Sequence, residues 1–230
     1  MKIAVFSDIH GNYQALKAIL KRIDKKKYDK VIFLGDAIGL GPDGLMCAKR
    51  IQESDIIYLL GNHELYYTRG YKIDDDIQGE EIKHHEWVTD SLKNYEIKDD
   101  NNLRYDLEIN NIKLSFFHYF LNNKKYPFEH LDILQDDKYK EVYNKEKANY
   151  IFFGHNHKET YNEINNKYYY GIGSSGCNTS NKTYYYEIKI DNTVKVKRIE
   201  LQYKRNKFNH RIRHLKYPEK EKLMSIFWGM

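Results

Sequence analysis

Residues 4–10 read Ala4-Val5-Phe6-Ser7-Asp8-Ile9-His10, a short apolar segment that ends at a carboxylate and an imidazole. A short apolar run with β-branched and aromatic members is typical of a strand that is buried on both faces. In α/β proteins, polar side chains that directly follow such strands gather at one edge of the sheet, where these proteins build their sites. Asp8 and His10 are therefore candidates for a functional site at that edge.

The same pattern occurs four more times along the chain. Each further run ends at residues that can bind a metal: Val31-Ile32-Phe33-Leu34-Gly35-Asp36, Ile56-Ile57-Tyr58-Leu59-Leu60-Gly61-Asn62-His63, Leu114-Ser115-Phe116-Phe117-His118 and Ile151-Phe152-Phe153-Gly154-His155-Asn156-His157. Carboxylate, imidazole and amide oxygen together form a ligand set for a hard-to-borderline metal ion. One such strand end means little, whereas five in one chain predict a common site.

The order of the elements predicts an α/β fold. The first three apolar runs alternate with two helices, and Asn12 is placed to cap the first of them. This β-α-β-α-β order predicts a parallel core with right-handed crossovers. Hairpins are expected to follow, with turns at Asn110-Asn111, Asn165-Asn166 and Asp191-Asn192. Further helices are expected near residues 78–96, 136–148 and 218–229. We expect a single domain over residues 1–230, with a basic C-terminal segment 195–230 that packs on it or extends from it.

Length and composition restrict the class of protein. The 230 residues fit one large domain or at most two small ones, and the hydrophobic content of 41% permits a sizeable core. No apolar run approaches the roughly 18 residues of a membrane span, and the first run is too short for a signal-peptide core. We therefore expect a cytoplasmic protein. Its two cysteines, Cys47 and Cys177, lie outside the ligand motifs, so we expect reduced thiols that bind no metal.

The net charge of +5 is unevenly distributed. Residues 195–222 carry eleven Lys or Arg and three Glu, a net charge of +8, which leaves −3 for the rest of the chain. Such a segment can attract a phosphate-bearing substrate or a nucleic acid, although a solvated surface is the commoner role of a charged stretch. The 22 tyrosines occur largely in strand-like runs, which favours a structural role over base stacking.

Seven side chains at the five strand ends can bind metal: Asp8, His10, Asp36, Asn62, His118, His155 and His157. Asp8 and His10, like His155 and His157, are separated by one residue, which places each pair on the same side of an extended chain. The two carboxylate oxygens of Asp36 can bridge two ions, so that each ion has four ligands. Because four of the seven ligands are imidazoles, the set favours Mn, Fe, Zn, Co or Ni over Mg or Ca, with Mn expected first.

Two ions held about 3.5–4 Å apart lower the pKa of a bridging water and clamp the oxygens of a phosphoryl group. The pattern therefore predicts hydrolysis of a phosphate ester by a hydroxide that bridges the metals. His63 directly follows Asn62 and is not needed as a ligand, so it can stabilise the charge of the transition state or protonate the leaving oxygen. We expect Asp36 and His63 to be the catalytic residues.

The remaining histidines are expected elsewhere. His84 and His85 fall in a polar helix, and His210 and His214 fall in the basic segment, so all four are predicted at the surface. His130 falls in an irregular stretch and is a weak candidate for a substrate contact.

In combination, these motifs resemble those of the calcineurin-like metallophosphoesterases. The ordered motifs of that family are Asp-x-His, Gly-Asp, Gly-Asn-His-Asp/Glu, a lone His after a strand, and Gly-His-x-His. All are present here in order, over residues 1 to about 190: Asp8-Ile9-His10, Gly35-Asp36, Gly61-Asn62-His63-Glu64, His118 and Gly154-His155-Asn156-His157. The stretch from Gly35 to Gly44 is similar to the small single-domain bacterial and archaeal branch, which contains phosphatases and phosphodiesterases of varied substrates.

The resemblance implies a four-layer α/β/β/α sandwich of two mixed β-sheets flanked by helices. It also implies that Asp8, His10, Asp36 and His157 hold one ion, that Asp36, Asn62, His118 and His155 hold the second, and that His63 is the catalytic histidine. Two positions depart from the family pattern and are expected to border the substrate. Related small members often have Gly where this chain has Tyr119, and the loop from Gly171 to Gly176 lacks an Asn-Pro lead-in.

We therefore predict a metal-dependent phosphoesterase that acts on a small phosphorylated metabolite or nucleotide. The alternative is a nuclease or nucleic-acid-processing phosphodiesterase, which the basic segment and its aromatic residues Tyr203, Phe208 and Tyr217 motivate. A non-catalytic binding scaffold is disfavoured because no ligand is missing. The ligands do not distinguish monoesters from diesters, and residues 119–149 are expected to shape the pocket. No membrane partner is expected, and the sequence indicates no oligomeric state.

Overall fold

The computed structural model describes residues 1–70, 79–98, 100, 102–121, 128–129 and 146–230. The strands are β1 (Lys2–Phe6), β2 (Lys30–Phe33), β3 (Ile57–Tyr58), β4 (Arg104–Ile109), β5 (Ile112–Phe117), β6 (Phe120–Leu121), β7 (Phe128–Glu129), β8 (Tyr150–Phe153), β9 (Glu159–Ile164), β10 (Lys167–Ile172), β11 (Lys182–Ile190) and β12 (Val194–Gln202). The helices are α1 (Tyr13–Lys26), α2 (Gly44–Gln52), α3 (Asn62–Arg69), α4 (Glu80–Ser91), α5 (Arg205–His214) and α6 (Lys220–Trp228).

Ten of these strands form two five-stranded sheets. The first sheet has the order β12-β11-β1-β2-β3, in which β1, β2 and β3 are parallel and β11 and β12 are antiparallel to their neighbours. The second has the order β4-β5-β8-β10-β9, in which β5, β8 and β10 are parallel and β4 and β9 are antiparallel edge strands. Strands β6 and β7 pair with each other. Both large sheets are therefore mixed.

The apolar side chains of β1 alternate between two cores, as the period of a strand requires. Ile3 and Val5 join Phe116 and Phe152 in the core between the two sheets. Ala4 and Phe6 face the opposite core, which the inward faces of α1, α2 and α4 complete. This arrangement confirms the predicted α/β sandwich of two mixed sheets flanked by helices.

Most local predictions from the sequence agree with the structure. The Asn12 side chain caps α1 by accepting a hydrogen bond from the backbone of Ala15 at 3.1 Å. The tight turns of the β4–β5 and β9–β10 hairpins each place two asparagines at positive φ, and a longer turn follows β11. The helix expected near residues 136–148 lies largely outside the described residues, as does His130.

The C-terminal helices pack against the loops at the ends of the strands. A cluster of buried side chains joins Phe208 and Ile212 of α5, Met224 and Trp228 of α6, and the loop residues Leu40 and Cys177. The Trp228 indole donates a hydrogen bond to the carbonyl of Gly176 at 3.0 Å, and Arg211 forms an ion pair with Asp43 at 3.0 Å. Among the described residues, no helix combines the length and the apolar character that a membrane crossing needs.

Candidate metal centre

The ends of five strands place the seven predicted ligands together at one edge of the two sheets. The first sheet supplies Asp8 and His10 after β1, Asp36 after β2, and Asn62 at the start of α3, directly after β3. The second sheet supplies the other three, with His118 after β5 and both His155 and His157 after β8. Asp8, His10, Asp36 and His118 are at most 1% exposed, whereas the side chains of His157 and His63 are 20% and 13% exposed. The centre thus has a buried floor and a partly open rim.

One group of potential ligand atoms forms around Asp8. The Nε2 atoms of His10 and His157 lie 2.8 Å apart, and Asp8 Oδ1 lies 3.3 Å from the His157 Nε2 and 3.6 Å from the His10 Nε2. Asp36 Oδ2 is also 3.6 Å from His10 Nε2. These distances place four ligand atoms around one small volume.

A second group forms on the other side of Asp36. Its Oδ2 atom lies 3.1 Å from His118 Nε2, and Asn62 Oδ1 lies 3.2 Å from that same nitrogen. His155 Nδ1 is 3.0 Å from Asn62 Oδ1. Asp36 therefore lies between the two groups and is the side chain that they share.

The chemistry of these atoms fits bound cations. The Nδ1 atoms of His10 and His118 lie 3.1 Å and 3.0 Å from the carbonyl oxygens of Ile38 and Leu34, which can only accept a hydrogen. With the Nδ1 proton held in this way, each ring can offer its Nε2 lone pair to a cation, an arrangement that commonly orients histidine ligands of metals. Asp8 Oδ1 is buried and has no hydrogen-bond donor among the described residues. Lone pairs that converge in this way need positive charge between them.

The electrostatics of the site point the same way. Burial lowers the pKa of His118, but the charges of Asp36 and Asp8 outweigh it and raise that pKa to about 9. Burial likewise opposes ionisation of Asp8 and Asp36, yet the neighbouring histidines hold the pKa of both carboxyls below the usual range. The site therefore favours negative carboxylates together with a positive charge, as a metal site does.

Five of the seven ligand residues have a left-handed backbone conformation. The φ angles are 53° at Asp8, 45° at His10, 62° at Asp36, 73° at His155 and 60° at His157. Positive φ is uncommon for residues other than glycine and concentrates at functional sites. The expectation of an extended Asp-x-His or His-x-His pair was therefore wrong. Asp8 and His10 come together because the chain turns sharply after β1, whereas His155 and His157 contribute to different groups.

Glu64 is an important residue that the sequence analysis did not assign. Its buried carboxylate accepts hydrogen bonds from the backbone nitrogens of Asp36 at 2.8 Å, Ala37 at 2.7 Å, Ile38 at 3.3 Å and Gly61 at 2.9 Å. It thereby fixes the loop that carries Asp36 against the start of α3. Its place at the third helical position, where a capping acid is common, was the available signal.

The loop after β10 is hydrogen-bonded to the end of β1. Ser174 Oγ and the Gly176 nitrogen both donate to the Asp8 carbonyl, at 2.7 Å and 3.0 Å, and Ser174 is 1% exposed. Tyr119 is 3% exposed, and its ring lies 5.5 Å from the rings of both His118 and His155. Both segments therefore contact the candidate centre, and that they border the substrate stays a prediction.

Cys177 lies closer to the centre than its sequence context indicates. A single sulfur, with one ring nitrogen each from His10 and His157, forms a group whose atoms all lie within 4.8 Å of one another. Both cysteines are free, and burial raises the pKa of each thiol.

The prediction that His84 and His85 lie at the surface was wrong. Each is 4% exposed, because α4 turns both rings toward the body of the protein. His84 Nε2 accepts a hydrogen bond from the Leu40 backbone at 3.1 Å, and the ring of His85 stacks on that of His63 at 4.7 Å. His210 and His214 are exposed, as predicted.

Comparison with known proteins agrees with the fold and the site. Residues 1–193 match the family model for the calcineurin-like phosphoesterase superfamily domain. An uncharacterized protein of Methanocaldococcus jannaschii is 32% identical over 157 residues, which cover 67% of this chain and 62% of that relative. A hypothetical protein from Pyrococcus horikoshii OT3 has a TM-score of 0.71 at 17% identity and covers 100% of this chain and 98% of its own. A metallophosphoesterase from Sphaerobacter thermophilus has a TM-score of 0.68 at 18% identity, with 98% of each chain covered.

The chain therefore belongs to the calcineurin-like phosphoesterase superfamily, a class of metal-dependent phosphoesterases. The match to the family ends at residue 193, so it covers the strands of both sheets except β12, which begins at Val194. Helices α5 and α6 lie beyond it. The aligned part spans 62% of the length of the curated relative, and at 17–18% identity the two solved structures show a shared fold.

Proposed function

We propose that this protein hydrolyses a small phosphate ester, using two divalent transition-metal ions held by the seven side chains of the candidate metal centre. The observation that carries the proposal is the convergence of lone pairs on the two sides of Asp36. His10 and His157 bring two ring nitrogens within 2.8 Å on one side, and His118 faces both Asp36 and Asn62 on the other. Two imidazole nitrogens and the carboxylates of Asp8 and Asp36 thus face one another, an arrangement that bound cations would stabilise.

The ligands divide between two ions according to these distances. Asp8, His10, Asp36 and His157 would hold the first ion, and Asp36, Asn62, His118 and His155 would hold the second. When bound, such ions supply a water of lowered pKa and neutralise the charge of a phosphoryl group. The predominance of imidazole favours Mn, Fe, Zn, Ni or Co over Mg or Ca, with Mn proposed first.

His63 is the proposed catalytic histidine. Its Nε2 atom lies 4.0 Å from Asp36 Oδ2, and its side chain is 13% exposed at the rim of the centre. Its backbone nitrogen donates to Asp36 Oδ1 at 3.1 Å, which ties the helix start to the shared carboxylate. The ring is therefore placed to hydrogen-bond an oxygen of a substrate that reaches the rim.

The test is a substrate and metal panel. Nitrophenyl phosphate, its bis ester, cyclic nucleotides and dinucleoside polyphosphates are assayed with Mn, Co, Ni, Zn and Mg after the protein has been stripped with a chelator. We expect phosphoester hydrolysis that depends on a transition metal, and the preferred ester identifies monoesterase or diesterase activity. Undiminished hydrolysis by the stripped protein without added metal would contradict the proposal.

Two substitutions test the assigned residues. Asp36→Asn is expected to reduce metal binding and to lower kcat by about 10²-fold or more, because it removes the charge that both ions share. His63→Ala is expected to lower kcat by a factor of about 10²–10⁴ while metal content stays unchanged. His210→Ala, which removes an exposed histidine, is the matched control. Full turnover of His63→Ala with a normal metal content would remove His63 from the mechanism.

A nucleic-acid substrate is the second candidate, and the exposed basic residues of segment 195–222 favour it. Eight of its eleven Lys and Arg side chains are exposed, so the positive charge is available to a polyanion. The aromatic residues that also motivated this candidate are less available, since Phe208 is fully buried and Tyr203 and Tyr217 pack against the same cluster.

This candidate is tested by removing charge from segment 195–222. The segment is not deleted, because that would remove β12, which is paired along its whole length with β11. We expect Lys207→Glu combined with Arg213→Glu to leave hydrolysis of nitrophenyl phosphate unchanged. A large, salt-dependent loss of RNA or DNA binding in that variant would favour the nucleic-acid candidate instead.

A further inference from the structure

The ring of His63 is held between two other histidine rings. The His85 ring stacks on one side of it, with centroids 4.7 Å apart and planes 29° apart. The His10 ring meets it edge-on at 4.9 Å and 81°. His10 belongs to the candidate metal centre, whereas His85 comes from α4 and is not one of the seven proposed ligands. The His63 ring is therefore in contact with one proposed ligand and with one residue outside the proposed ligand set.

Among the described residues, no hydrogen bond fixes the orientation of the His63 ring from its Nδ1 side. This nitrogen is buried and has no hydrogen-bond partner among the described residues. Histidines at metal and catalytic sites are normally oriented by a hydrogen bond to the other ring nitrogen. Here the backbone of Gly39 lies against the ring instead, since a Cβ added at Gly39 would be 2.2 Å from Nδ1. The direction in which His63 points must therefore come from packing.

Helix α4, which carries His85, is held in place by contacts of residues next to His85. The preceding residue, His84, accepts a hydrogen bond from the Leu40 backbone, and Leu40 belongs to the loop that starts at Asp36. One turn along, the Trp87 ring stacks on that of Tyr217 at 4.7 Å, which ties α4 to the C-terminal segment. Tyr66 of α3 packs edge-on against the His85 ring at 4.9 Å. His85 is thus a rigid surface on a fixed element, as a residue that orients another must be.

We propose that His85 is a positioning residue for the proposed reaction, and that the face of its ring holds the His63 imidazole toward Asp36 and the rim of the metal centre. The inference rests on the proposed function, because it concerns how the proposed catalytic histidine is oriented. In this proposal, the contact between the His85 and His63 rings, and not a hydrogen bond, orients His63. Burial lowers the pKa of His85 to about 3, so the ring adds no positive charge beside His63 at neutral pH.

The test compares His85→Phe, which keeps a flat ring, with His85→Ala, which removes it. Glu86→Ala, an exposed neighbour on the same helix, is the control. Each protein is assayed with nitrophenyl phosphate and the metal that gives the native protein its highest activity, and its metal content is measured. We expect His85→Ala to lower kcat by about tenfold or more with KM and metal content unchanged, because a misdirected catalytic group costs turnover and not binding. His85→Phe is expected to stay within about threefold of the native kcat.

A crystal structure of each metal-free variant provides a readout that does not depend on activity. In His85→Ala we expect the His63 ring to rotate, so that its Nε2 atom leaves its position 4.0 Å from Asp36 Oδ2. In His85→Phe we expect it to stay. Native kcat in His85→Ala, or an unmoved His63 ring in its crystal structure, would overturn the proposal. An equal loss of kcat in both variants would also overturn it, since ring contact would then not be the cause. If the native protein itself fails to hydrolyse any ester, the proposed function fails, whereas the crystallographic comparison still tests the orientation of His63.

Discussion

Glu64 illustrates how a buried carboxylate can organise a metal centre without binding metal. Its two oxygens accept hydrogen bonds from four backbone nitrogens, three of which belong to Asp36 and the two residues that follow it. The position of Asp36, the proposed bridging ligand, therefore depends on Glu64, whose carboxylate is hydrogen-bonded to the backbone of the Asp36 loop. Removing the charge of Glu64 tests this dependence.

We expect Glu64→Gln to lower the free energy of unfolding by about 2 kcal/mol, because an amide nitrogen replaces one acceptor oxygen and leaves buried N–H groups unpaired. We also expect weaker metal binding, since the Asp36 loop loses its anchor. Denaturant unfolding and metal titration measure the two effects. Glu86→Gln makes the same chemical change at an exposed position and is the control. Equal stabilities of the two variants would contradict the role given to Glu64.

His84 predicts a specific pH dependence of stability. Burial lowers its pKa from 6.5 to about 4, and protonation would also break its acceptance of the Leu40 hydrogen bond. The unfolded chain therefore binds a proton near pH 6.5, whereas the folded protein binds it only near pH 4. The resulting stability is fully present above pH 6.5 and is lost as the pH falls toward 4.

The measurement is the free energy of unfolding between pH 7 and 4. It is made on the native protein and on the His84→Gln variant after a chelator has removed bound metal. Gln can still accept the Leu40 hydrogen bond but does not titrate. We expect native stability to fall by up to about 3 kcal/mol more than that of the variant across this interval. Parallel pH profiles for the two proteins would show that His84 does not contribute in this way.

At this scale the sequence predicts the identity of the metal ligands better than it predicts their surroundings. The seven ligand types follow strand-like runs, and that signal is local. The burial of His84 and His85 is not local, because α4 packs through Trp87 against Tyr217, a residue 130 positions further along the chain. The left-handed turns at Asp8 and His155 could not be predicted either, because the sequence pattern indicates a strand that stays extended through these residues.

At the scale of elements, α6 packs against the candidate centre although it lies far from the ligand motifs in the sequence. Its last residue, Trp228, is fully buried, and the indole donates a hydrogen bond to Gly176, whose own nitrogen donates to the Asp8 carbonyl. The preceding residue, Phe227, places its ring 5.3 Å from that of His157. The helix thus reaches the proposed ligands through two adjacent aromatic residues.

We expect Trp228→Ala to destabilise the protein by about 3–5 kcal/mol, the usual cost of truncating a large buried aromatic side chain. Ile226→Ala is the matched control, because Ile226 lies on the same helix and is 60% exposed. Its effect should stay within about 0.5 kcal/mol. Thermal and denaturant unfolding measure both variants. A Trp228→Ala protein as stable as Ile226→Ala would show that α6 is not anchored as described.

The elements could be predicted where a short pattern determines them. The apolar spacing of α1 and its Asn12 cap act within one helix, and the two asparagine turns act within one hairpin. The packing of α5 and α6 could not be predicted, because their partners Leu40 and Cys177 lie in loops that are distant in the sequence. Only Phe208, Ile212, Met224 and Trp228 reveal the buried face once the helices are in place.

At the scale of the whole molecule, the two sheets bring their ligand-bearing ends together. The parallel strands β1 and β2 supply the carboxylates, and β5 and β8 of the other sheet supply most of the imidazoles. Each sheet alone carries an incomplete set, so the metal centre is a product of the sandwich. Because the ligands come from both sheets, binding of metal should stabilise the fold as a whole.

The metal stoichiometry of the protein tests this account most directly. The protein is stripped with a chelator, reconstituted with Mn²⁺, freed of excess metal and analysed by mass spectrometry of its metal content. We predict two ions per chain in the native protein and fewer in Asp36→Asn, which lacks the shared charge. A native protein that takes up no transition-metal ion, or an Asp36→Asn variant that still binds two, would contradict it.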